Sequence, residues 1–396
     1  MTNASPSLRD QLLRAFADDT APARAAANLK GAALVIFGPG SSLALMHLPT
    51  LVARGANVVL AVDDWARVDE IAGIPVCTSG QLAAELARRV PEGTEVKAIN
   101  FTQNRYGQAR FRALAKHLGM PIHDLVELLA AYDCPGVYEP VLQYRARTKE
   151  RADDWLAFAE SLEDERSRET LYAVLLQRLE FNRYVLDSIM VSPNDEYFGV
   201  SRAQSETFTI GTREHFVDCG AHTGTVVAKL LGATDWKVAS VHAFEPDAKN
   251  YEALNNLMPY PLPFMHTHRC AVSDRSETLR FHETGTMGSH VSSSGGVEVP
   301  CVKLDDMVED ATFIKMDVEG FEARTLRGAA QLIARAKPRM AIASYHYATD
   351  LLDVADTLRE LVPGHRLRVR QHYSYFYDTI IYASPRDDWA PLTRAE

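Results

Sequence analysis

The segment that most constrains the fold of this chain is Phe216-Val217-Asp218-Cys219-Gly220-Ala221-His222-Thr223-Gly224. It has the pattern of a short buried strand that enters a glycine turn, and Thr225 to Leu231 continue with the apolar spacing of a helix. Glycines in such a turn let a ligand approach the backbone, and the helix N-terminus offers free N–H groups to an anion. The segment therefore predicts a nucleotide-type pocket. A plain strand-to-helix turn is the alternative, since two glycines alone are a weak signal.

The next predicted strand, Ala239 to Phe244, ends at Glu245 and Pro246. An acid at the tip of the second strand of a βαβ unit can accept hydrogen bonds from both hydroxyls of a ribose. The glycine turn lacks the three-glycine pattern of dinucleotide sites, because His222 lies where the middle glycine would be. Together these features favour an adenosine ligand that carries a carboxylate rather than a pyrophosphate. S-adenosylmethionine is such a ligand.

Five segments resemble the FkbM-type S-adenosylmethionine-dependent methyltransferases. They are Phe216 to Ala221, Phe244 to Pro246, Ala271 to Asp274, Leu304 to Asp306 and, most specifically, Phe313-Ile314-Lys315-Met316-Asp317-Val318-Glu319-Gly320-Phe321-Glu322. The resemblance covers residues 195 to 384, about half of the chain. It implies an α/β fold with the seven-stranded, doubly wound sheet of class I methyltransferases and S-adenosyl-L-methionine as the cofactor.

The cofactor-binding residues follow from the glycine turn, the strand tips and this resemblance. They are Asp218, Gly220, Ala221, His222, Gly224, Glu245, Pro246, Val272, Ser273, Asp274 and Asp317. In this fold the loop after the third strand faces the adenine, so Val272, Ser273 and Asp274 are expected at its edge and ring. A turn cap is the alternative for Asp274.

The predicted catalytic residues are Asp317 and Glu319, at the end of the fourth strand, and His346, at the tip of the fifth. Because the carboxyl ends of parallel strands meet at one edge of a sheet, these side chains should converge. Histidine is suited to remove a proton near neutral pH, so we expect His346 to handle the proton of the methyl acceptor. Alternatively, a divalent metal such as Mg²⁺, held by Asp317 and Glu319, could lower the pKa of the acceptor.

Other polar and aromatic residues lie in the same predicted region. The expected substrate contacts are Tyr197, Phe198, His290 and Tyr345. His290 is the rival base, since it lies in the Ser- and Gly-rich stretch between residues 285 and 296, which is either a substrate-facing flap or a surface hairpin. Lys315 is expected to form an ion pair with a nearby acid, and Glu322 to be a solvated helix residue.

The N-terminal part contains a second βαβ pattern. A strand from Ala32 to Phe37 enters Gly38-Pro39-Gly40, and the strand from Asn57 to Val62 ends at two acids. Leu43 replaces the third glycine, which normally permits close packing of helix on strand. A structural or dimerising relic is favoured over a retained nucleotide or nucleotide-sugar site. A short likeness to N-terminal domains of bacterial sugar-modifying enzymes includes these glycines.

Three domains are expected. Residues 1–134 alternate strands and helices and predict a Rossmann-like parallel sheet, residues 135–194 show helical spacing and predict a linker, and residues 195–396 predict the methyltransferase domain. The formal net charge of -10 argues against a nucleic-acid partner. The five scattered cysteines, with no signal peptide and no apolar run of membrane-spanning length, predict a cytoplasmic protein without a membrane partner. A homodimer is compatible with the pattern.

The predicted activity is O-methylation of a hydroxyl on a saccharide or a small specialised metabolite, which the resemblance implies. N-methylation of an amine or amide is the alternative within the same class. A different class would be a catalytically silent scaffold that binds a nucleotide-sugar.

Overall fold

The computed structural model describes residues 6–65, 68–103, 105–200, 205–257, 260–283, 290–291, 295–387 and 389–390. Its contacts group the chain into two compact units. Unit 1 comprises the residues up to 152 with 169–190 and 373–376, and unit 2 comprises 153–168, 191–372 and the residues from 377 onward. The segment predicted as a linker, 135–194, is thus divided between the units, and its status as a separate domain stays a prediction. No helix among the described residues is both long and apolar enough to cross a membrane.

Up to residue 190 the described residues form nine α-helices and six strands, which a short 3-10 helix at Arg183–Ser188 follows. In order they are α1 (Leu8–Ala17), α2 (Ala21–Leu29), β1 (Ala33–Phe37), α3 (Ser42–Ala53), β2 (Val58–Val62), β3 (Glu70–Ile71), β4 (Ile74–Cys77), α4 (Leu82–Arg89), β5 (Val96–Asn100), α5 (Arg105–His117), β6 (Ile122–Asp124), α6 (Leu125–Ala131), α7 (Val141–Glu150), α8 (Ala152–Glu160) and α9 (Glu165–Glu180).

The remaining elements belong to unit 2. In order they are β7 (His215–Cys219), α10 (Thr225–Thr234), β8 (Ser240–Phe244), α11 (Ala248–Asn255), β9 (Met265–His268), β10 (Ala271–Val272), β11 (Glu277–His282), β12 (His290–Val291), β13 (Val297–Val302), α12 (Leu304–Met307), β14 (Phe313–Met316), α13 (Glu322–Arg327), α14 (Ala330–Ala336), β15 (Arg339–Ala343), α15 (Asp350–Leu361), β16 (Arg366–Gln371) and β17 (Thr379–Ser384).

Unit 1 is built on a six-stranded sheet in the order β3-β4-β2-β1-β5-β6. The pairs that β1 forms with β2 and β5, and the pairs β2–β4 and β5–β6, are parallel, whereas β3 and β4 are antiparallel. All five residues of β1 are buried, which explains its unbroken apolar run, since a central parallel strand is covered on both faces. The predicted Rossmann-like parallel sheet is confirmed.

The glycine turn of unit 1 is explained by packing. Gly38 has a φ of +76°, and a Cβ there would lie 2.4 Å from the side chain of Thr102. A Cβ on Gly40 would lie 3.3 Å from Oδ2 of Asp63, whose Oδ1 accepts a hydrogen bond from the backbone N–H of Trp65. These contacts account for both glycines without a ligand, and the nucleotide-sugar site stays an untested prediction.

Unit 2 is built on a seven-stranded sheet in the order β16-β17-β15-β14-β7-β8-β9. The strands from β15 to β9 are parallel to their neighbours, and β17 is antiparallel to both β15 and β16. Helix α10 buries Val227 and Leu230 in one apolar cluster with Phe216, Val241 and Phe313 of the sheet. The predicted seven-stranded, doubly wound fold is confirmed.

A smaller sheet in the order β10-β13-β11-β12 completes unit 2. Strands β11 and β13 pair antiparallel. The stretch from Phe264 to Val272 contributes to two sheets, because β9 ends at His268 in the large sheet and β10 pairs with β13 in the small one. Most of the stretch from 285 to 296 lies outside the described residues.

The arginines of β16 do not all face solvent. Arg366 is exposed, but only 4% of Arg370 is accessible, and its guanidinium donates to Asp164 at 2.8 Å and to Ser167 at 2.7 Å. Residues 164–167 therefore cover part of this strand.

Candidate functional site

The candidate site lies at the carboxyl edge of the large sheet of unit 2. Strands β15, β14, β7 and β8 are adjacent and parallel, so the residues that follow them share this edge. In register, Cys219 is the partner of both Met316 and Phe244. The sheet therefore brings the glycine turn, Glu245, Asp317 and His346 to one edge.

The glycine turn after β7 leaves no room for a side chain. Gly220 has a φ of +76°, and a Cβ there would lie 1.8 Å from the backbone oxygen of Asp317. Gly224 has a φ of +85°, and a Cβ there would lie 2.8 Å from Leu254. The backbone N–H groups of Gly220 and Ala221 donate to the carbonyl of Phe244, at 3.0 and 2.9 Å. Only glycine fits where this turn touches β14.

Glu245 is held in place by the backbone. Its Oε2 accepts a hydrogen bond from the N–H of His222 at 2.8 Å, and its Oε1 accepts one from the N–H of Asp247 at 2.9 Å. Pro246, half-buried, lies between the two acids. A carboxylate has about four lone-pair positions, so about two remain for a ligand. Burial raises the pKa of Glu245 to about 7, although the hydrogen bonds from Asp247 and His222 lower it.

The raised pKa of Glu245 predicts how stability depends on pH. The folded state holds this proton up to about pH 7, whereas the unfolded chain releases it near the ordinary pKa of 4.5. The folded state thus binds more protons between these values, and this group makes stability fall as pH rises through the window. Glu245→Gln removes the ionisation, but its amide can accept only one of the two backbone hydrogen bonds. The variant should therefore lose less stability than the wild type between pH 4 and pH 8, by on the order of 2 kcal/mol.

Thermal melts of Glu245→Gln and the wild type at pH 4 and 8 measure this difference. Glu252→Gln, on the exposed side of α11, is the matched control and should give wild-type melts at both pH values. The same change of melting temperature between pH 4 and pH 8 in Glu245→Gln and the wild type would contradict the prediction.

Asp218 and Lys315 form a buried ion pair beneath the site. Their Oδ1 and Nζ are 3.0 Å apart, and the exposed fractions of the side chains are 0% and 3%. Lys315 also donates to the carbonyl of Gly220 and lies 5.3 Å from the ring centre of Tyr197. The ion pair was predicted for Lys315. Asp218 was predicted to bind the cofactor, but its buried carboxylate instead neutralises the lysine that holds the glycine turn.

His346 lies at the centre of a cluster of carboxylates. Its Nε2 is 3.3 Å from Asp317 Oδ1 and 3.3 Å from Glu319 Oε2, and its Nδ1 is 3.4 Å from Glu322 Oε1 and 3.9 Å from Asp350 Oδ2. Burial lowers the pKa of His346, but the charges of Glu322 and Glu319 and the hydrogen bond to Asp317 outweigh this and hold the pKa well above its usual range. The surrounding carboxylates therefore favour the charged form of the imidazole.

Asp317 is fixed by two tyrosines. Tyr197 donates from its hydroxyl to Oδ2 at 2.9 Å, and the hydroxyl of Tyr345 lies 3.4 Å from the same oxygen. Burial raises the pKa of Asp317, but the hydrogen bond and charge of His346 outweigh it and hold the pKa well below its usual range. Tyr197 and Tyr345 were predicted as substrate contacts, and the structure places both against this acid.

The turn after β14 has an unusual backbone. Glu319 has a φ of +59°, and Gly320 has a φ of +92°. A Cβ on Gly320 would lie 2.3 Å from the ring of Tyr347. A non-glycine residue in the left-handed region is uncommon, and such positions cluster at functional sites. This conformation brings the carboxylate of Glu319 to His346.

The prediction of a solvated Glu322 is wrong. Only 1% of the residue is accessible, and its Oε1 accepts a hydrogen bond from the N–H of Val318 at 2.8 Å. Burial raises its pKa to about 7, although the charge of His346 lowers it. Asp350, four residues after His346, was not predicted either. Helical spacing does not reveal this pair, because His346 lies before α15, which begins at Asp350.

Two more acids missed from the sequence lie in this region. Burial raises the pKa of Glu196 to about 7, and burial with the negative charge of Glu196 raises the pKa of Asp378 well above its usual range. Two carboxyl groups that share a site cannot both ionise easily, so one retains its proton.

Other predicted residues have different surroundings. Phe198 is fully buried, with its ring edge-on to Phe216 and Phe313, so it belongs to the core rather than to a substrate surface. Ser273 is also fully buried, and Asp274 accepts two hydrogen bonds from Arg324, at 2.8 and 3.1 Å.

The other residues predicted near the adenine or the substrate give no further support. Val272 lies in the small sheet, and its carbonyl accepts from Thr325 at 3.0 Å. No contact of Val272, Ser273 or Asp274 marks an adenine site. His290 lies in β12, but its side chain is outside what the structure describes.

Comparisons with known proteins assign the domain. Residues 218–363 match the model of the methyltransferase FkbM domain. The crystal structure of a methyltransferase FkbM from Methylobacillus flagellatus KT superposes with a TM-score of 0.77 at 24% identity, covering 95% of this chain and 99% of that one. At this identity the likeness shows the fold.

Two other solved structures are much less similar to this chain. A precorrin-6y C5,15-methyltransferase from Geobacter metallireducens GS-15 gives a TM-score of 0.30 at 11% identity, covering 44% of this chain and 82% of that one. Fibrillarin from Aeropyrum pernix, in complex with natively bound S-adenosyl-L-methionine, gives 0.29 at 12% identity, covering 44% and 67%. No curated protein matches the sequence. The domain match includes the glycine turn, Glu245, Asp317 and His346. The chain therefore contains a methyltransferase FkbM domain, formed by residues 218–363.

Proposed function

We propose that the glycine turn and Glu245 hold the cofactor, S-adenosyl-L-methionine. Two observations fit this ligand. A Cβ at Gly220 or Gly224 would collide with neighbouring atoms, so the turn offers bare backbone. Glu245 is fixed by two backbone N–H groups and keeps acceptor positions for the hydroxyls of a ribose. When bound, S-adenosylmethionine supplies a methyl group on a positively charged sulfur.

We further propose that the acceptor is a hydroxyl of a sugar or small specialised metabolite. The observation that carries this is the cluster of Asp317, Glu319 and His346 at the same sheet edge as Glu245. A hydroxyl must lose a proton when it is methylated, and groups that stabilise or remove that proton are needed beside it. A neutral amine needs less of this help, so the cluster favours O-methylation over N-methylation.

His346 remains our choice for the residue that controls the acceptor's proton. Its Nε2 faces Asp317 and Glu319, between which an acceptor oxygen or its proton would be held. The surrounding carboxylates hold the pKa of His346 well above its usual range and so favour its charged form. A positive group beside these carboxylates would weaken that effect.

The reaction test uses S-adenosylmethionine labelled in the methyl group. The full chain is incubated with two panels, one of hydroxyl compounds (monosaccharides, nucleoside-diphosphate sugars and small alcohols) and one of amines and amides. We expect label only in the hydroxyl panel, as a methyl ether identified by mass spectrometry and NMR. Transfer to amines or amides alone would contradict O-methylation.

Glu245→Ala should weaken the binding of S-adenosylmethionine by about tenfold to a hundredfold. The reason is that a hydrogen bond to a charged group contributes about 1.5–3 kcal/mol. Isothermal calorimetry of the wild type and the variant measures the change. Glu252→Ala is the control and should bind as the wild type does, because this residue lies exposed on α11. Unchanged affinity in Glu245→Ala would remove Glu245 from the cofactor site.

A further inference from the structure

The ligand atoms of Asp317, Glu319 and His346 are placed as for one metal ion. Oδ1 of Asp317 and Oε2 of Glu319 each lie 3.3 Å from Nε2 of His346, and one ligand atom from each residue lies within 4.8 Å of the other two. Bonds to Mg²⁺, Mn²⁺ or Zn²⁺ are about 2.0–2.2 Å long, so ligand atoms about 3–4 Å apart can share an ion. The histidine is 1% accessible, so this arrangement is buried on one side.

A second set of residues fixes the orientation of these three side chains. Nδ1 of His346 faces Oε1 of Glu322 at 3.4 Å, and Glu322 is itself held by the backbone N–H of Val318. Oδ2 of Asp317 accepts from the hydroxyl of Tyr197, which leaves Oδ1 directed at the histidine. Metal-binding histidines commonly direct their other ring nitrogen at a carboxylate, and metal-binding carboxylates are commonly hydrogen-bonded in turn. Both features are present before any ion is bound.

The carboxylates around His346 outnumber the positive groups near them, which favours a bound cation. His346 is surrounded by four carboxylates and supplies at most one positive charge. The four belong to Asp317, Glu319, Glu322 and Asp350. The nearby Lys315 forms its ion pair with Asp218, with Nζ 3.0 Å from Oδ1 and both side chains buried. Buried carboxylates are unfavourable unless they are paired or coordinate a metal. A divalent ion would supply the missing positive charge.

We propose that Asp317, Glu319 and His346 bind a divalent cation, with Glu322 as a positioning residue for the histidine. This proposal rests on the proposed function, because it gives the cation's purpose at the acceptor. The mixed set of two carboxylates and one imidazole suits Mn²⁺, and Mg²⁺ or Zn²⁺ with lower preference. Such an ion, when bound, supplies a Lewis acid that lowers the pKa of a hydroxyl.

The test titrates Mn²⁺ into the full chain after treatment with EDTA and dialysis, and follows free Mn²⁺ by electron paramagnetic resonance. We expect one site per wild-type chain. Glu319→Gln, which removes a ligand, and Glu322→Gln, which removes the orienting carboxylate, should each weaken Mn²⁺ binding by at least about tenfold. Glu309→Gln is the matched control and should bind Mn²⁺ as the wild type does. Glu309 is exposed and precedes the N-terminal end of β14, whereas the cluster follows its C-terminal end.

Calorimetry with S-adenosylmethionine in EDTA keeps this proposal separate from the proposed function and checks that each variant is folded. Glu319→Gln and Glu322→Gln should bind the cofactor with wild-type affinity, which a merely misfolded variant would not. The metal proposal is overturned if the wild type shows no stoichiometric Mn²⁺ site, if Glu319→Gln binds Mn²⁺ as tightly as the wild type, or if methyl transfer to a hydroxyl proceeds at full rate in EDTA. Stoichiometric Mn²⁺ binding without any binding of S-adenosylmethionine would support the metal site and contradict the proposed function.

Discussion

His346→Gln is expected to lose at least about two orders of magnitude in methyl transfer while it keeps wild-type affinity for S-adenosylmethionine. Assistance to a proton transfer contributes about 10²–10⁴ in rate, and Gln can neither accept the proton nor replace an imidazole ligand. Glu245 and the glycine turn do not depend on the imidazole, so cofactor binding should persist. Single-turnover transfer of labelled methyl to a hydroxyl acceptor from the panel measures the rate, and calorimetry measures the affinity.

Two controls make this result specific. His266→Gln changes an exposed histidine on β9 and should leave the rate unchanged. His290→Gln tests the rival base on the stretch between β11 and β13. If His346→Gln keeps near-normal turnover and His290→Gln abolishes it, the proton is handled by that stretch and the role given to His346 is wrong.

Gly220→Ala is expected to lower the free energy of unfolding by more than about 3 kcal/mol. An alanine at a φ of +76° is strained, and its Cβ would lie 1.8 Å from the backbone oxygen of Asp317. Left-handed backbone costs an ordinary residue about 1–2 kcal/mol, and overpacking adds about 1–3 kcal/mol. The displaced turn should also weaken S-adenosylmethionine binding. Denaturant unfolding and calorimetry measure the two effects.

Gly232→Ala is the matched control for this substitution. Gly232 lies within α10, and no atom outside the helix lies within 4 Å of a Cβ added there. Alanine is favoured over glycine in a helix interior by about 0.5–1 kcal/mol, so this variant should be slightly more stable than the wild type. A Gly220→Ala variant as stable as Gly232→Ala would mean that the turn can move away from β14.

The sequence was informative about the large sheet because its central strands carry two kinds of signal. The strand that ends at Cys219 and the strand that ends at Met316 are apolar runs, and each is followed by residues that a plain connection does not need: two glycines in one case, two acids in the other. Parallel register then brings the strand ends together. The convergence of Asp317, Glu319 and His346 follows from this rule alone.

The surroundings of these residues could not be predicted in the same way. Glu322 has the sequence position of a solvated helix residue, and its burial depends on a backbone N–H from the turn that precedes the helix. Phe198 and Tyr197 are neighbours in sequence, yet Phe198 packs in the core and Tyr197 binds Asp317. The break between β9 and β10 depends on which sheet the strand joins, and local pattern does not carry this information.

The buried pair of Asp218 and Lys315 limits how this domain can be recombined. The two residues are 97 positions apart in sequence, but their opposite charges lie 3.0 Å apart in the folded domain. A chimera of two related enzymes whose crossover lies between them would inherit one partner from each parent. If the parents differ at either position, the hybrid would contain an unpaired buried charge, which typically costs about 3–5 kcal/mol. A chimera of such enzymes should therefore take β7 and β14 from the same parent, so that Asp218 and Lys315 stay paired.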